Sequence, residues 1–292
     1  MKRVVFNQKG GVGKSSITCN LAAISAAMGY RTLVIDLDVQ GNSSMYLGFD
    51  IHEENEEFAD LADVNVAQLY KNLFGLGRSM LFDARECIIE TPFENLDLMP
   101  SSTELTAIES EMSARFKLYQ LRKALDDLSA HYDRIYIDTP PAFGFYSKSA
   151  LIAADRVLVP FDCDVFAQRA LYNVMENLQD LKAKHNKNLN IEGVIINQFY
   201  GQSKLPSVLV KELKEYNIPV LDAFISNSIK MKMSHATQTP LIYLDRTHTI
   251  TQQFVRLFEI IEGVEAAGLR KDEAIKKVDE VAEMLDELTF EV

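Results

Sequence analysis

The stretch Lys9-Gly10-Gly11-Val12-Gly13-Lys14-Ser15-Ser16 decides how the rest of this chain is interpreted. It follows the apolar run 3–7, which predicts a buried strand, and it precedes residues 17–28, whose apolar spacing and alanine content predict a helix. Successive glycines let backbone N–H groups converge on phosphate oxygens, and a helix N-terminus adds a partial positive charge behind them. A strand, a glycine loop and a helix in this order therefore predict a phosphate-binding loop.

The loop departs from the plain phosphate-binding motif at one position. Gln8 stands where the first glycine of Gly-x-x-x-x-Gly-Lys-Ser would lie, and the variant Lys-Gly-Gly-x-Gly-Lys-Ser is matched instead. Because of its additional lysine, Lys9, the chain resembles the ParA/MinD superfamily of deviant P-loop ATPases, with the greatest similarity to ParA-type (Soj-like) partition and positioning ATPases. The resemblance implies an α/β fold with a doubly wound, mostly parallel sheet and helices on both faces.

Two carboxylates follow the second predicted strand, residues 31–36. The segment from Asp36 through Asp38 to Asn42 resembles the family's Asp-x-Asp-Pro-Gln-Gly-Asn, with Val39 in place of the proline. Parallel strands that end beside a phosphate loop place such carboxylates at the edge where open α/β sheets bind ligands. Capping of the strand end is the alternative interpretation of the pair, and the neighbouring loop favours a functional one.

A third carboxylate ends the predicted strand 134–138. Apolar residues followed by Asp138 form a Walker B pattern, in which the carboxylate reaches the metal shell through water. The pattern is weak by itself, but its position after the loop and the Asp36/Asp38 segment strengthens it. The following Thr139-Pro140-Pro141 also resembles the family's Asp-x-Pro-Pro.

The resemblance implies ATP and Mg²⁺ as cofactors and gives each residue a role. Contacts with the nucleotide are implied for Lys9, Gly10, Gly11, Val12, Gly13, Lys14, Ser15, Ser16, Asp36 and Asn197. Contacts with the metal shell are implied for Ser15 and Asp138. Catalytic roles are implied for Lys9, which crosses a dimer interface to the partner's nucleotide, for Lys14, which offsets phosphate charge, and for Asp38, which positions the attacking water. Asn197 is expected to contact adenine, with a turn-forming role as the alternative.

The remaining elements alternate in type along the chain. Strands are predicted at 96–100, 157–160, 191–197 and 220–221, and helices at 64–74, 101–128, 166–184 and 205–216. Repeated strand–helix alternation with Val- and Ile-rich strands predicts a parallel, doubly wound sheet with right-handed crossovers.

Composition and length limit the class of protein. The 292 residues are 47% hydrophobic, which is enough for a substantial core, and the three cysteines are scattered without Cys-x-x-Cys spacing. No run approaches 18 apolar residues, and the N-terminus enters a strand directly. We therefore expect a cytoplasmic protein that is neither exported nor embedded in a membrane.

The charge of the chain is unevenly distributed. The net charge is −12, and residues 262–292 contain ten acidic and four basic residues with an amphipathic apolar spacing. We expect this segment to be a helical appendage to an ATPase domain over residues 1–261. Residues 181–232 contain eight lysines and only four acidic residues, which gives this segment a net positive charge. The lysines expected to contact DNA are Lys204, Lys211, Lys230 and Lys232. Solvated helix faces are the alternative for most of these lysines.

The ParA-type resemblance implies a function as an ATP-dependent homodimer. Such a dimer binds duplex DNA of any sequence, is nucleoid-associated, and positions or segregates a plasmid, a chromosome region or a protein cluster. A ParB-like protein or cargo adaptor stimulates an otherwise slow hydrolysis. The alternative is a MinD-like ATPase that binds membranes through a basic amphipathic C-terminal helix. No membrane partner is expected here, because the tail is acidic.

Overall fold

One eight-stranded sheet organises the chain. The computed structural model describes residues 1–51, 63–75, 82–114, 117–162, 167–199, 205–266 and 268–269. The strands are β1 (Lys2–Val5), β2 (Thr32–Asp36), β3 (Ile89–Glu90), β4 (Leu96–Met99), β5 (Arg134–Asp138), β6 (Arg156–Phe161), β7 (Asn190–Phe199) and β8 (Val220–Ser226). Their spatial order is β3-β4-β2-β5-β1-β6-β7-β8, and every neighbouring pair is parallel except β3–β4.

Helices cover both faces of the sheet. They are α1 (Lys14–Ala27), α2 (Asn42–Tyr46), α3 (Val66–Leu73), α4 (Leu105–Ala114), α5 (Gln120–Leu128), α6 (Phe145–Ala153), α7 (Ala167–Lys184), α8 (Leu205–Glu215), α9 (Ile229–Ala236), α10 (Leu241–Leu244) and α11 (Thr249–Glu262). Strand residues alternate between two separate cores, with Val4 in the core under α5 to α7 and Val5 in the core under α1 and α11. The predicted doubly wound α/β fold is therefore confirmed.

Two predicted elements differ from the structure. The single helix expected over 101–128 is divided into α4 and α5, and Lys117, between them, donates from Nζ to the carbonyl oxygen of Phe74 at 3.0 Å. The short strand expected at 220–221 extends as β8 to Ser226, because it pairs along β7 across two register shifts. Both differences depend on contacts with distant segments, which local periodicity cannot indicate. None of the helices in the described ranges is long and apolar enough to cross a membrane.

The central position of β1 fixes where a ligand can bind. Its neighbours are β5 on one side and β6 on the other, so the chain crosses to opposite sides of the sheet from this strand. In open α/β sheets such a switch point forms a crevice outside the carboxyl ends of the strands. The phosphate loop follows β1, Asp36 ends β2, Asp138 ends β5 and Asp162 follows β6, so all four meet at this edge.

Buried ion pairs tie the opposite edge of the sheet together. Arg3 on β1 is fully buried and donates to Glu192 of β7 from Nε at 2.6 Å and from Nη2 at 2.9 Å. Its Nη1 donates to Glu262 at the end of α11, also at 2.6 Å. The guanidinium therefore joins the centre of the sheet, one flanking strand and the last helix through charge-assisted hydrogen bonds.

The predicted domain boundary between residues 261 and 262 falls inside α11. Beyond it, Ala266 and Leu269 are buried in the core under α11, and Gln252 donates from Nε2 to the carbonyl oxygen of Leu269 at 2.9 Å. The ATPase fold therefore continues at least to Leu269. The acidic helix expected further on lies outside the described residues.

Replacing Arg3 by Met should destabilise the protein by about 3 kcal/mol, because Glu192 and Glu262 would remain buried with less compensating charge. The comparison is Arg31→Ala, which removes an exposed arginine paired with Asp133 and should cost far less, because water screens an exposed ion pair. Urea unfolding of both variants measures the difference. Equal losses would show that the Arg3 network contributes no more than a surface pair.

Candidate nucleotide-binding site

The phosphate loop is held in shape from the side of β7. Gly11 and Gly13 have φ values of 77° and 86°, which favour glycine, and a Cβ on Gly13 would lie 2.3 Å from the amide nitrogen of Asn197. That nitrogen donates to the carbonyl oxygen of Val12 at 2.8 Å, and Gln198 Nε2 donates to that of Gly11 at 3.0 Å. The side chain of Asn197 thus supports the loop, and its expected contact with adenine stays a prediction.

Lys14, the first residue of α1, lies across the loop. Its side chain is buried, and Nζ donates to the carbonyl oxygen of Lys9 at 3.3 Å. Burial lowers the pKa of Lys14, and the negative charges of Asp138 and Asp38 partly oppose that change. A bound anion would stabilise this buried ammonium further, as phosphate does in other loops of this shape.

Asp36 and Asp138 lie side by side without access to water. Both are fully buried, and they occupy paired positions of β2 and β5. Burial, and then the charge of Asp138, raise the pKa of Asp36 to about 8. Burial raises the pKa of Asp138 to about 6, against the opposing effect of hydrogen bonds from Ser15 and Ser43. A cation at this position would favour both ionised forms.

Asp36, the last residue of β2, and Asp38, two residues later, have different roles. Asp36 accepts hydrogen bonds from Ser44 N at 2.9 Å, from Ser44 Oγ at 2.8 Å and from Asp38 N at 3.1 Å, and it thereby shapes the loop that follows. Asp38 lines the cavity over the phosphate loop, and its carbonyl oxygen accepts from Ser101 Oγ at 2.6 Å. Asp36 is therefore an organiser of the loop, while Asp38 faces the ligand space.

Three serines of this region were not identified from the sequence. Ser43 donates from Oγ to Asp138 at 2.7 Å, and Ser44 and Ser101 hold the loop that carries Asp38. The adjacent Ser43-Ser44 pair directly after the predicted ligand segment was a signal that could have indicated the first two. Ser101 depends on the approach of β4 to β2, which no local pattern shows.

Lys9 forms its contacts with residues of its own chain in this structure. Its Nζ donates to Asp162 Oδ2 at 2.6 Å, and its backbone N–H donates to Asn7 Oδ1 at 2.9 Å. About a third of the Lys9 side chain, 33%, is exposed. The lysine that the sequence assigns to a partner's nucleotide is thus held by an intrachain ion pair.

An open cavity of about 510 Å³ lies above the loop, and its size is typical of small-molecule sites. The residues lining it include the loop glycines, Lys14, Ser15, Ser16, Asp38, Tyr46, Gln198 and His235. In the part of the chain that the structure describes, no group of three His, Cys, Asp or Glu side chains could hold a metal by itself. Mg²⁺ commonly binds through one or two protein ligands together with substrate phosphates, so the buried Lys14 and Asp138 fit a Mg²⁺–phosphate ligand.

Comparison with known proteins agrees with this geometry. The family model described as "AAA domain" matches residues 2–191. The chromosome partitioning protein ParA of Caulobacter vibrioides (strain NA1000 / CB15N) is 29% identical over 258 residues, which cover 87% of this chain and 90% of that protein. The chain belongs to the ParA/MinD family of P-loop ATPases. Members of this family are partition and positioning ATPases, and the resemblance found in the sequence is confirmed.

Solved structures of ParA/MinD proteins share the fold. A putative plasmid partition protein of Borrelia burgdorferi B31, bound to AMPPNP, is 25% identical with a TM-score of 0.72, over 90% of this chain and 98% of that one. The septum site-determining protein MinD of Pyrococcus horikoshii OT3, in complex with Mg-ADP, is 22% identical with a TM-score of 0.67, over 92% and 97% of the two chains. The second likeness concerns the fold alone.

The lysines expected to contact DNA have different surroundings. Lys232 is exposed on α9, and Lys211 on α8 is half-buried. Lys230 pairs with Asp245 at 2.9 Å, which reduces its contribution to a basic surface. Lys204 lies outside the described residues. Of the expected set, Lys232 therefore offers its charge to solvent most directly.

Asp138→Asn should stabilise the ligand-free protein at about pH 8, by about 3 kcal/mol, since a difference of one pKa unit is worth roughly 1.4 kcal/mol. Because folding raises the pKa of Asp138 from 3.8 to about 6, its protonated form stabilises the fold below the lower value, and this stabilisation is lost as the pH rises through about 6. Asparagine keeps hydrogen bonds with Ser43 and Thr139 and carries no charge.

Thermal unfolding of the parent, Asp138→Asn and the surface variant Asp180→Asn at about pH 5 and about pH 8 tests this effect. The advantage of Asp138→Asn should appear at the higher pH, and Asp180→Asn should show no comparable change. A loss of stability at both pH values would contradict the account of the buried pair.

Proposed function

We propose that this ParA/MinD ATPase is an ATP-dependent dimer switch that binds DNA without sequence preference and positions a cargo. The observation that carries the proposal is the presence of two lysines in one loop, of which only Lys14 lies across its own phosphate site. A third of the Lys9 side chain is exposed and so accessible to a second subunit in this proposal, and its ion pair with Asp162 gives it a distinct resting position.

The nucleotide would be held chiefly by the loop and the first turn of α1. Backbone N–H groups from Gly11 to Ser15 face the phosphates in this proposal, Lys14 neutralises the β- and γ-oxygens, and Ser16 contacts the α-phosphate. When bound, Mg²⁺ offsets negative charge on the phosphates. Ser15 would ligate the metal, and Asp138 would order its water shell, as its bond with Ser43 at 2.7 Å prepares it to do.

Hydrolysis would depend on Asp38. Its loop is fixed from both sides, because Asp36 accepts its N–H and Ser101 donates to its carbonyl oxygen. A carboxylate so placed can orient a water molecule toward the γ-phosphate. We expect slow turnover until a ParB-like or cargo adaptor protein completes the site.

Dimerisation would require Lys9 to exchange one partner for another. In the single subunit Asp162 neutralises it, and one oxygen of that carboxylate, Oδ1, is buried without a hydrogen bond in the described structure. ATP supplies a more negative partner in the facing subunit than ADP does. The exchange would therefore be favourable in the ATP state and unfavourable after hydrolysis.

Lys9→Ala should keep ATP binding but lose the ATP-dependent dimer, whereas Lys14→Ala should lose nucleotide binding itself. Asp162→Asn should move dimer formation to lower ATP concentrations, because it weakens the intrachain partner of Lys9. Fluorescent-nucleotide titration and analytical ultracentrifugation separate these effects. Normal ATP-dependent dimerisation of Lys9→Ala would refute the dimer switch.

DNA would bind to the lysine-rich part of the dimer. Residues 181–232 carry a net charge of +4 in an otherwise acidic chain, and a dimer would join two such segments. Lysines without base-reading geometry contact phosphates alone, so the binding should be independent of sequence and nucleoid-wide. An adaptor carried by the cargo would stimulate hydrolysis and so release the dimer.

Lys232→Glu should weaken the binding of the ATP-bound dimer to duplex DNA and reduce the salt dependence by roughly one phosphate contact per subunit. Lys123→Glu makes the same charge change at an exposed site on α5 and serves as the matched control. Fluorescence anisotropy with random-sequence duplex, at several salt concentrations and with ATP or ADP, measures both. Equal binding with ADP and ATP, or ATP-dependent binding to anionic vesicles instead of DNA, would overturn the proposal.

A further inference from the structure

His235 joins the nucleotide cavity from α9, far away in sequence from the phosphate loop. Its Nε2 lies 2.9 Å from Ser16 Oγ, and the two residues are separated by 219 positions. The ring lines the same cavity as the loop glycines. His235 is an exposed residue, but the protein atoms on one side of its ring exclude water there and lower the pKa of His235, which favours the neutral ring near pH 7.

The imidazole is held in place by a chain of contacts back to α1. The ring of Tyr46 packs edge-on against it, with centroids 4.7 Å apart and planes at 89°. Asn20 Nδ2 donates to the hydroxyl oxygen of Tyr46 at 3.0 Å, and that hydroxyl also bonds Ser234, the residue before His235. Both ends of the contact between Ser16 and His235 are thus anchored to the first helix.

The chemistry of the pair depends on where one proton lies. A serine hydroxyl has a single hydrogen to donate, and a neutral imidazole has one N–H. If Ser16 donates to His235, its oxygen presents only lone pairs to a phosphate. If Nε2–H donates to Ser16 Oγ, the serine hydrogen remains available to an anion in the cavity. Only the arrangement in which Nε2–H donates to Ser16 Oγ keeps the 2.9 Å hydrogen bond and leaves the serine hydroxyl free to donate to a phosphate oxygen.

We infer that His235 is a positioning residue for the nucleotide: its Nε2–H orients the Ser16 hydroxyl so that Ser16 donates to a phosphate oxygen. The inference rests on the proposed function and adds a residue to the site that the phosphate loop alone does not contain. His235 acts through Ser16 and does not itself touch the reacting atoms.

A double-mutant cycle on the affinity for Mg-ADP tests the inference. His235→Ala and Ser16→Ala should each weaken ADP binding about tenfold, the value of one charge-assisted hydrogen bond. In the Ser16→Ala background, His235→Ala should have less than about a twofold further effect, because the route through Ser16 is already lost. His235→Gln retains an amide N–H and should restore most of the affinity. With ATP the KM should rise while kcat changes little.

The matched control is His185→Ala, since the exposed His185 also bonds a hydroxyl, Tyr119 Oη at 2.8 Å, on the surface between α5 and α7. It should bind ADP like the parent, and thermal unfolding confirms that each variant is folded. Additive losses in the cycle, or His235→Gln as weak as His235→Ala, would overturn the positioning role. Failure of the parent itself to bind ADP would instead overturn the proposed function.

Discussion

Opposite charges held away from water at one edge of the sheet are the constraint on which the site depends. Lys14 lies at the start of α1, and Asp36 and Asp138 end the two strands beside it, all of them buried. Burial penalises each charge, and the two carboxylates repel one another. An anion with a divalent cation relieves all three penalties at once, so the fold is arranged for a ligand that brings both.

The surrounding structure keeps this costly arrangement in place. The carbonyl groups of the loop are held by β7, the segment after β2 is fixed by serines, and the far edge of the sheet is joined by the buried Arg3. These bonds link β1 to β7 and the segment after β2 to the segment after β4, and they restrict how far these strands can relax. The site therefore stays organised without its ligand, which is what a preorganised phosphate site requires.

The sequence predicted the part of the site that depends on local order. A glycine loop between a strand and a helix, and carboxylates directly after parallel strands, must meet at one edge once the sheet forms, so Lys14, Asp36 and Asp138 could be placed in advance. The contacts of Ser101, Asn197 and His235 span 63, 185 and 219 positions, and no periodicity encodes them. The division of residues 101–128 into two helices has the same origin. The pairing of Lys9 with Asp162 was unexpected because the family resemblance implies that Lys9 contacts the nucleotide of a partner subunit.

Proton release on nucleotide binding tests the buried-charge account most directly. Calorimetric titration of Mg-ADP near pH 7, in two buffers with different ionisation enthalpies, counts the protons exchanged. Because burial, and then the charge of Asp138, raise the pKa of Asp36 to about 8, Asp36 retains a proton near pH 7 that a bound cation should displace. We expect net release of protons, reduced in Asp138→Asn. Identical heats in both buffers, with tight binding, would show that Asp36 is already ionised and that the site is not organised around the burial of the two carboxylates.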